Sequence, residues 1–172
     1  MIRKAVLQDE NEIARIYEKA RAYMAQHGNP GQWGTSFPPS ELTHEDILKG
    51  ILYVREEEGR INGVFMFEIA DDPTYHVISD GAWKSEEPYG VIHRVASDGT
   101  GHGLMREIVS FCGAQISHLR MDTHEKNLTM QHQLARNGFE YCGIILTHDN
   151  TPRLAYERGW DTADTASSNV KK

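Results

Sequence analysis

Gly99, Gly101 and Gly103 alternate through Ser97-Asp98-Gly99-Thr100-Gly101-His102-Gly103, directly ahead of an apolar stripe formed by Leu104, Ile108, Phe111, Cys112 and Ile116. Glycine lets a backbone approach a ligand closely. The first-turn amides of a following helix point outward at the positive end of its dipole, so such a loop suits a phosphate or diphosphate. A glycine-rich turn that holds nothing fits the same residues. His93 lies just upstream, and a histidine, which titrates at about pH 6.5 when unperturbed, is suited to taking a proton near neutrality. Two residues before Val95 on a strand, it is expected to share that residue's face of the sheet. It also reads as a histidine merely hydrogen-bonded beneath a sheet. Glu68, Asp122 and His124 stand near other strand ends as reserve bases, and Asp122 reads equally as a turn-capping acid. The spacing of Asp122, His124 and His132 matches no established ligand set, so no metal is expected.

Three ligand classes use a loop of this kind. A P-loop needs lysine and a hydroxyl residue after its last glycine, but Leu104 and Met105 follow Gly103. A dinucleotide fold needs Gly-x-Gly-x-x-Gly, which the loop does not supply, and parallel strands throughout; Asp122 does stand about where its ribose-binding acid would. Coenzyme A is the third class.

The elements that must position these residues follow from period and punctuation. Ile2 to Ala5 is a short strand. From Asp9, the apolar residues Ile13, Ile16, Tyr17, Ala20 and Met24 recur at helical spacing until Gly28-Asn29-Pro30-Gly31 stops them. Thr43 followed by Asp46 signals the start of a second helix, closed by Gly50. Ile51–Arg55 and Ile61–Ile69 flank a polar turn and read as a hairpin, and Val64-Phe65-Met66-Phe67 is apolar on both faces, as in a strand covered on both sides. Tyr89 to Ala96 is the next strand, the glycine loop and its helix follow, and His118 to His124 is again a strand. Asn127 to Asn137 is a helix ended by Gly138, and Phe139–Thr147 with Arg153–Glu157 closes the chain as a hairpin. A strand, helix and strand around the loop are long enough for a parallel crossover, so the sheet is mixed.

With 172 residues, 39% of them hydrophobic and 25% charged, the chain suits a single core. Its net charge of -7 opposes nucleic acid and anionic membranes as partners. The longest apolar runs fall far short of the roughly 20 residues that cross a bilayer, and the N-terminus has no apolar signal core, so a cytoplasmic protein is expected. Cys112 and Cys142 are too few for a disulfide framework and read as reduced core residues.

Val95-Ala96-Ser97-Asp98-Gly99-Thr100-Gly101-His102-Gly103-Leu104, with Ile108 and Val109 beyond it, resembles the coenzyme A motif of GNAT N-acetyltransferases, Arg/Gln-x-x-Gly-x-Gly/Ala. In the register that aligns the apolar helix positions, Thr100 stands at the basic or amide position, Gly103 at the first required glycine and Met105 at the second. Asp122-Thr123-His124 with Asn127, Met130, Leu134, Gly138-Phe139 and Gly143 is similar to the family's strand, helix and Gly-Phe turn.

The resemblance covers about Ile2 to Arg158. It implies an α/β (α+β) GNAT fold, a mixed sheet of about seven strands flanked by about four helices, as one acetyltransferase domain over 1–158; the tail over 159–172, whose Thr, Ala, Ser, Asn and Lys after Gly159 leave almost nothing to bury, is expected to be loosely ordered. The resemblance further implies acetyl-CoA as cosubstrate. Ser97, Thr100, Gly101, His102, Gly103 and Leu104 would hold the carrier, with Val95 and Ala96 pairing with its pantetheine arm where two parallel strands splay. Asn127 would hydrogen-bond that arm beside Met130, and Asn127 reads as a helix cap as well. The tyrosine that protonates the leaving thiolate in many members is Leu134 here. The acceptor would be a primary amine of a small molecule or peptide, attacking directly in a ternary complex, with Gln32, Trp33 and Trp83 contributing a pocket. A homodimer is compatible with the family. Two other functions stay open: an acyl-CoA-binding module with weak turnover, and an NAD(P)-binding oxidoreductase.

Overall fold

The computed structural model describes residues 1–159. The tail expected over 159–172 lies, apart from Gly159, outside them. Seven strands and four α-helices follow in the order β1 (Ile2–Lys4), α1 (Glu10–Gln26), α2 (Ser40–Leu48), β2 (Leu52–Glu57), β3 (Arg60–Ile69), β4 (Gly90–Ser97), α3 (Leu104–Gly113), β5 (Leu119–Thr123), α4 (Leu128–Arg136), β6 (Glu140–Leu146) and β7 (Pro152–Arg158). They form one mixed sheet in the order β1-β2-β3-β4-β5-β7-β6. Among the described residues, β4–β5 is the single parallel pair, joined by the crossover through α3; an all-parallel dinucleotide sheet is thereby ruled out. No helix of the described residues is long and apolar enough to cross a membrane.

Strand β3 shows why the sheet is covered on both sides. Its alternate residues Val64 and Met66 join Ile13, Ile16, Tyr17 and Ile47 of α1 and α2 in one core. Phe65 and Phe67 join Ile108, Cys112 and Leu134 of α3 and α4 in the other. Burying each such side chain contributes about 1.5–3 kcal/mol. A third cluster of Tyr75, Tyr89, Val91, Ile145 and Ala155 extends the α1 side past β4.

Most expected elements form, with one displaced start. Helix α2 begins at Ser40, three residues before Thr43, with Pro39 as its N-cap in the extended conformation. The Pro38-Pro39 pair holds the chain extended up to that point, and the helix starts where proline no longer restricts it. Thr43 and Asp46 therefore lie buried inside the helix rather than capping it. Asp46 accepts a hydrogen bond from Arg94 Nη2 on β4 at 2.5 Å, which ties α2 to the strand carrying His93. Helix α4 forms as expected, with the Asn127 side chain accepting from the Met130 amide at its start and Gly138 at φ +82° after its end.

Candidate active site

Strands β4 and β5 pair at only two positions, Gly90 with Leu119 and Val91 with Arg120. Beyond Val91 they part, so the β5 side of Ile92 to Ser97 has no partner strand. The sheet is open there. A cavity of about 470 Å3 occupies the gap, lined by Ile92, His93, Arg94 and Val95 of β4, Met121 to Thr123 of β5, Met24 of α1, Met130 of α4, Ile145 of β6, Arg153 of β7 and residues of the adjoining loops.

A bulge in β4 orients the residues of this gap. Val64 faces Ala96 and Met66 faces His93, so two steps along β3 match three along β4, and Arg94 takes φ +53°. An extra residue inverts the alternation of side chains. The expectation that His93 shares the face of Val95 is thus corrected. His93 sits opposite Met66 on the α1 side, whereas Val95 packs against the α3–α4 core. Both still line the cavity, because the missing strand pairing leaves the two faces in communication there.

On the α1 side, His93 is held between two carboxylates. Its Nε2 lies 2.8 Å from Asp72 Oδ2 and its Nδ1 3.5 Å from Asp122 Oδ1. The Tyr75 hydroxyl donates to Asp122 Oδ1 at 2.7 Å. Asp72 caps the short 3-10 turn Pro73–Tyr75, accepting from the Thr74 amide at 2.9 Å and hydroxyl at 2.7 Å. Burial alone would raise the Asp72 carboxyl. The hydrogen bonds from His93 and Thr74 outweigh it and hold that acid well below the usual carboxylate range. Burial and the adjacent Asp122 push the Tyr75 phenol well above its ordinary value, so it remains a donor. Asp72 and Tyr75 come from an irregular stretch with no periodic signal, and sequence reasoning missed both.

Other expected residues divide between those the cavity gathers and those it does not. Asp122, Asn127, Met130, Gln32 and Trp33 line it. Gln32 Oε1 accepts from Asn127 Nδ2 at 2.9 Å and from Asn29 Nδ2 at 2.9 Å, which joins the loop after α1 to the start of α4 across the mouth of the gap. Trp33 packs edge-on against Tyr17. Glu68 is exposed on β3, paired with Val91, and lies outside the lining. His124 also lies outside it, its Nδ1 accepting from the Lys126 amide; burial and then Arg153 lower its pKa. Trp83 belongs to a separate aromatic cluster, donating to the Tyr75 carbonyl at 2.8 Å with the Arg120 guanidinium 4.1 Å from its ring. Its distance from the cavity follows from that packing. Leu134 is fully buried. Thr123 is buried and lines the cavity with its Oγ1 unpartnered in the protein.

The glycine loop bridges β4 and α3. Gly99, Gly101 and Gly103 all have φ between +74° and +83°, a region that costs other L-residues about 1–2 kcal/mol. Ser97 Oγ and Asp98 Oδ1 take the amides of Gly99 and Thr100. Among the described residues the amides of Gly101 through Arg106 have no acceptor in the protein. Six donors at a helix start, left without partners, suit an anion with several oxygens. Met105, at the position where the motif has its second small residue, turns its side chain into the α3 core, so its bulk does not fill the loop. Leu104 packs onto the bare Cα of Gly63, where a Cβ would lie 2.7 Å from Leu104 Cδ1, and this close approach seats the start of α3 against the sheet. The residues present therefore fit a diphosphate carrier at the loop and an extended arm in the gap beside Val95.

No model of a known protein family matches the chain, and no curated protein does by sequence. Solved structures do match. A GNAT-family acetyltransferase from Streptococcus agalactiae is 30% identical with a TM-score of 0.85, over 94% of this chain and 95% of that one. A putative acetyltransferase from Staphylococcus aureus is 25% identical with a TM-score of 0.67, over 92% and 98%. A ribosomal-protein-alanine N-acetyltransferase from Brucella melitensis, 16% identical over 92% and 99% with a TM-score of 0.60, shares the fold.

Proposed function

This chain belongs to the GNAT family of acetyltransferases, and from that premise we propose that it moves an acetyl group from acetyl-CoA to a primary amine of a small molecule or peptide, by direct attack in a ternary complex. The observation that carries the proposal is the parting of β4 from β5 after Val91, which opens a gap between unpartnered loop amides and a histidine held by two acids. Acetyl-CoA supplies the activated acyl thioester. Gly101 through Arg106 would bind its diphosphate through backbone amides, and Val95, Ala96 and Asn127 would align its arm, Asn127 retaining its capping role.

His93 is the proposed base. With Nε2–H donated to Asp72, Nδ1 would be the ring nitrogen left to take a proton beside Asp122. An incoming ammonium is attracted by Asp122, and Nδ1 receives the proton it must lose before its nitrogen can act as a nucleophile. Asp72 fixes the tautomer, as the orienting acid does in other base dyads. Gln32 and Trp33 border the acceptor side. Leu134 offers no proton to the departing thiolate; a thiol ordinarily titrates at about 8.5, so this leaving group departs more readily than an alkoxide or amide. Free, buried Cys112 and Cys142 and the net charge of -7 are compatible with a cytoplasmic enzyme acting on a small partner, as monomer or homodimer.

Calorimetry with acetyl-CoA and with NAD, followed by thiol release across a panel of amines, tests the proposal. Affinity for acetyl-CoA with amine-dependent thiol release supports it. The buried Leu134 favours the second reading, a binding module; tight acetyl-CoA binding with no thiol release from any amine would establish that reading instead.

A further inference from the structure

We propose that Arg55, on β2 and 46 residues before Gly101 in the chain, aims the amides of the glycine loop and thereby positions the diphosphate grip; this inference rests on the acyl-CoA reading above. Arg55 is fully buried. Its Nε donates to Asn62 Oδ1 at 2.8 Å, and its Nη1 donates to Glu107 Oε1 at 3.1 Å and to the His102 carbonyl at 3.0 Å. The last contact decides the direction of the loop. The His102–Gly103 peptide is trans, and in a trans peptide the carbonyl and the next N–H point in opposite directions. Drawing the His102 oxygen down to Arg55 turns the Gly103 N–H outward, toward the ligand side.

Gly101 rests directly on the same guanidinium. A Cβ there would lie 2.8 Å from Arg55 Nη2 and 2.6 Å from Glu57 Oε2, so only glycine lets the loop settle this low. Nη2 itself is buried without a hydrogen-bond partner, the nearest carboxylate being Glu57 at 3.7 Å. A buried charged donor in that state is costly, and here it keeps a guanidinium N–H directly beneath Gly101.

Charge balance points the same way. Asp98 is offset by Arg15 and Arg60, each at 3.2 Å. Among the described residues Glu57 and Glu107 pair with no cation but Arg55, one charge against two, and without it both carboxylates would repel a diphosphate unopposed. Thr100, at the position where the family motif carries a basic or amide side chain, turns its hydroxyl to Asp98 at 2.5 Å. Arg55 supplies from beneath the loop the cation that Thr100 does not supply from above.

The test uses the full chain and its Arg55→Met and Arg55→Lys variants, with dissociation constants measured by ligand-observed NMR for coenzyme A and for pantetheine, which has the arm but no diphosphate. Arg55→Met is expected to weaken coenzyme A by at least about tenfold, equivalent to about 1.4 kcal/mol, while pantetheine changes far less. Arg55→Lys, which keeps the charge but loses the fork, should fall between. If Arg55→Met does not fold, the same selective loss is read on Arg55→Lys. Wild-type affinity in the variant that folds, or an equal loss for both ligands, overturns the proposal. A wild-type protein that binds coenzyme A not at all overturns the acyl-CoA reading itself, a result distinct from either.

Discussion

Replacing Gly101 with alanine probes the loop most directly, because the cost can be worked out and has an internal control at Gly99. Both glycines lie at positive φ, +75° and +83°, so alanine at either position incurs the same backbone penalty of about 1–2 kcal/mol. Around Gly99 nothing lies within 4 Å of the added methyl, and the penalty ends there. At Gly101 the methyl would stand 2.6 Å from Glu57 Oε2, 2.8 Å from Arg55 Nη2 and 3.0 Å from Asn62 Nδ2. Arg55 is fully buried and bonded through its other nitrogens, so it cannot swing aside; the loop must rise instead. Rising breaks the Arg55–His102 hydrogen bond, a charged one worth about 1.5–3 kcal/mol. The backbone penalty is present with and without ligand and lowers stability only, whereas the lost Arg55–His102 bond, if the loop must be re-seated on binding, corresponds to a loss of roughly 10- to 150-fold in coenzyme A affinity for G101A. G99A, with nothing near its methyl, should melt at a lower temperature than wild type while binding coenzyme A nearly as tightly. Isothermal calorimetry with coenzyme A, alongside melting curves that check both variants are folded, measures the difference. Equal affinities for the two folded variants would refute the claim that the loop is seated on Arg55.

Three further outcomes are expected. His93→Ala should lower kcat by about 10²–10⁴-fold, the usual share of a general base, while leaving coenzyme A affinity unchanged; equal turnover across pH removes His93 from the mechanism. Asp72→Asn should melt at a lower temperature than wild type at pH 7. Because the folded protein depresses the Asp72 acid, its stabilisation is present above the unfolded value of about 4 and lost as pH falls toward the folded one, so the gap between the two melting curves should close in acid; a gap that persists unchanged at pH 3 contradicts this. Cys112 and Cys142 are buried, and burial pushes both thiols up to about 12. Neither should react with a thiol-specific disulfide reagent at pH 8 until denaturant is added, and rapid labelling of the folded chain would show the packing to be wrong.

How much of this was legible in the sequence depended on whether a feature is local. The β2–β3 hairpin, the crossover through α3 and the Asn127 cap follow from period, glycine punctuation and side-chain chemistry within a few residues, and all form. The glycine loop was visible for the same reason. Asp72 and Tyr75 were not, because they reach His93 and Asp122 only through the fold, across 21 and 47 residues respectively. Arg55 reads as the ordinary end of an apolar run. The one hint beside it is Gly63 within a strand, a sign of close approach, and the side chain that approaches is Leu104. The start of α2 was misplaced because the polar pair Thr43 and Asp46 imitates a cap, while the Pro38-Pro39 pair that sets the start acts through backbone restriction.

The bulge at Arg94 bears on the order of the proposed chemistry. A continuous sheet would separate His93 on the α1 side from Val95 on the α3–α4 side. The gap beyond Val91 removes that separation, so the two meet at one opening although they face opposite ways. Trp33, Asp72 and His93 surround the opening on the α1 side, and Ile92, Val95 and Met121 belong to the core on the other. A carrier arm lying along Val95 would thus present its acyl end to an amine entering past Trp33, with His93 behind the nitrogen. Two ligands approaching from opposite faces can react with each other without an acyl-enzyme between them. The cysteines agree with that economy: neither Cys112 nor Cys142 lines the cavity, and thiols raised to about 12 are poor nucleophiles at neutral pH.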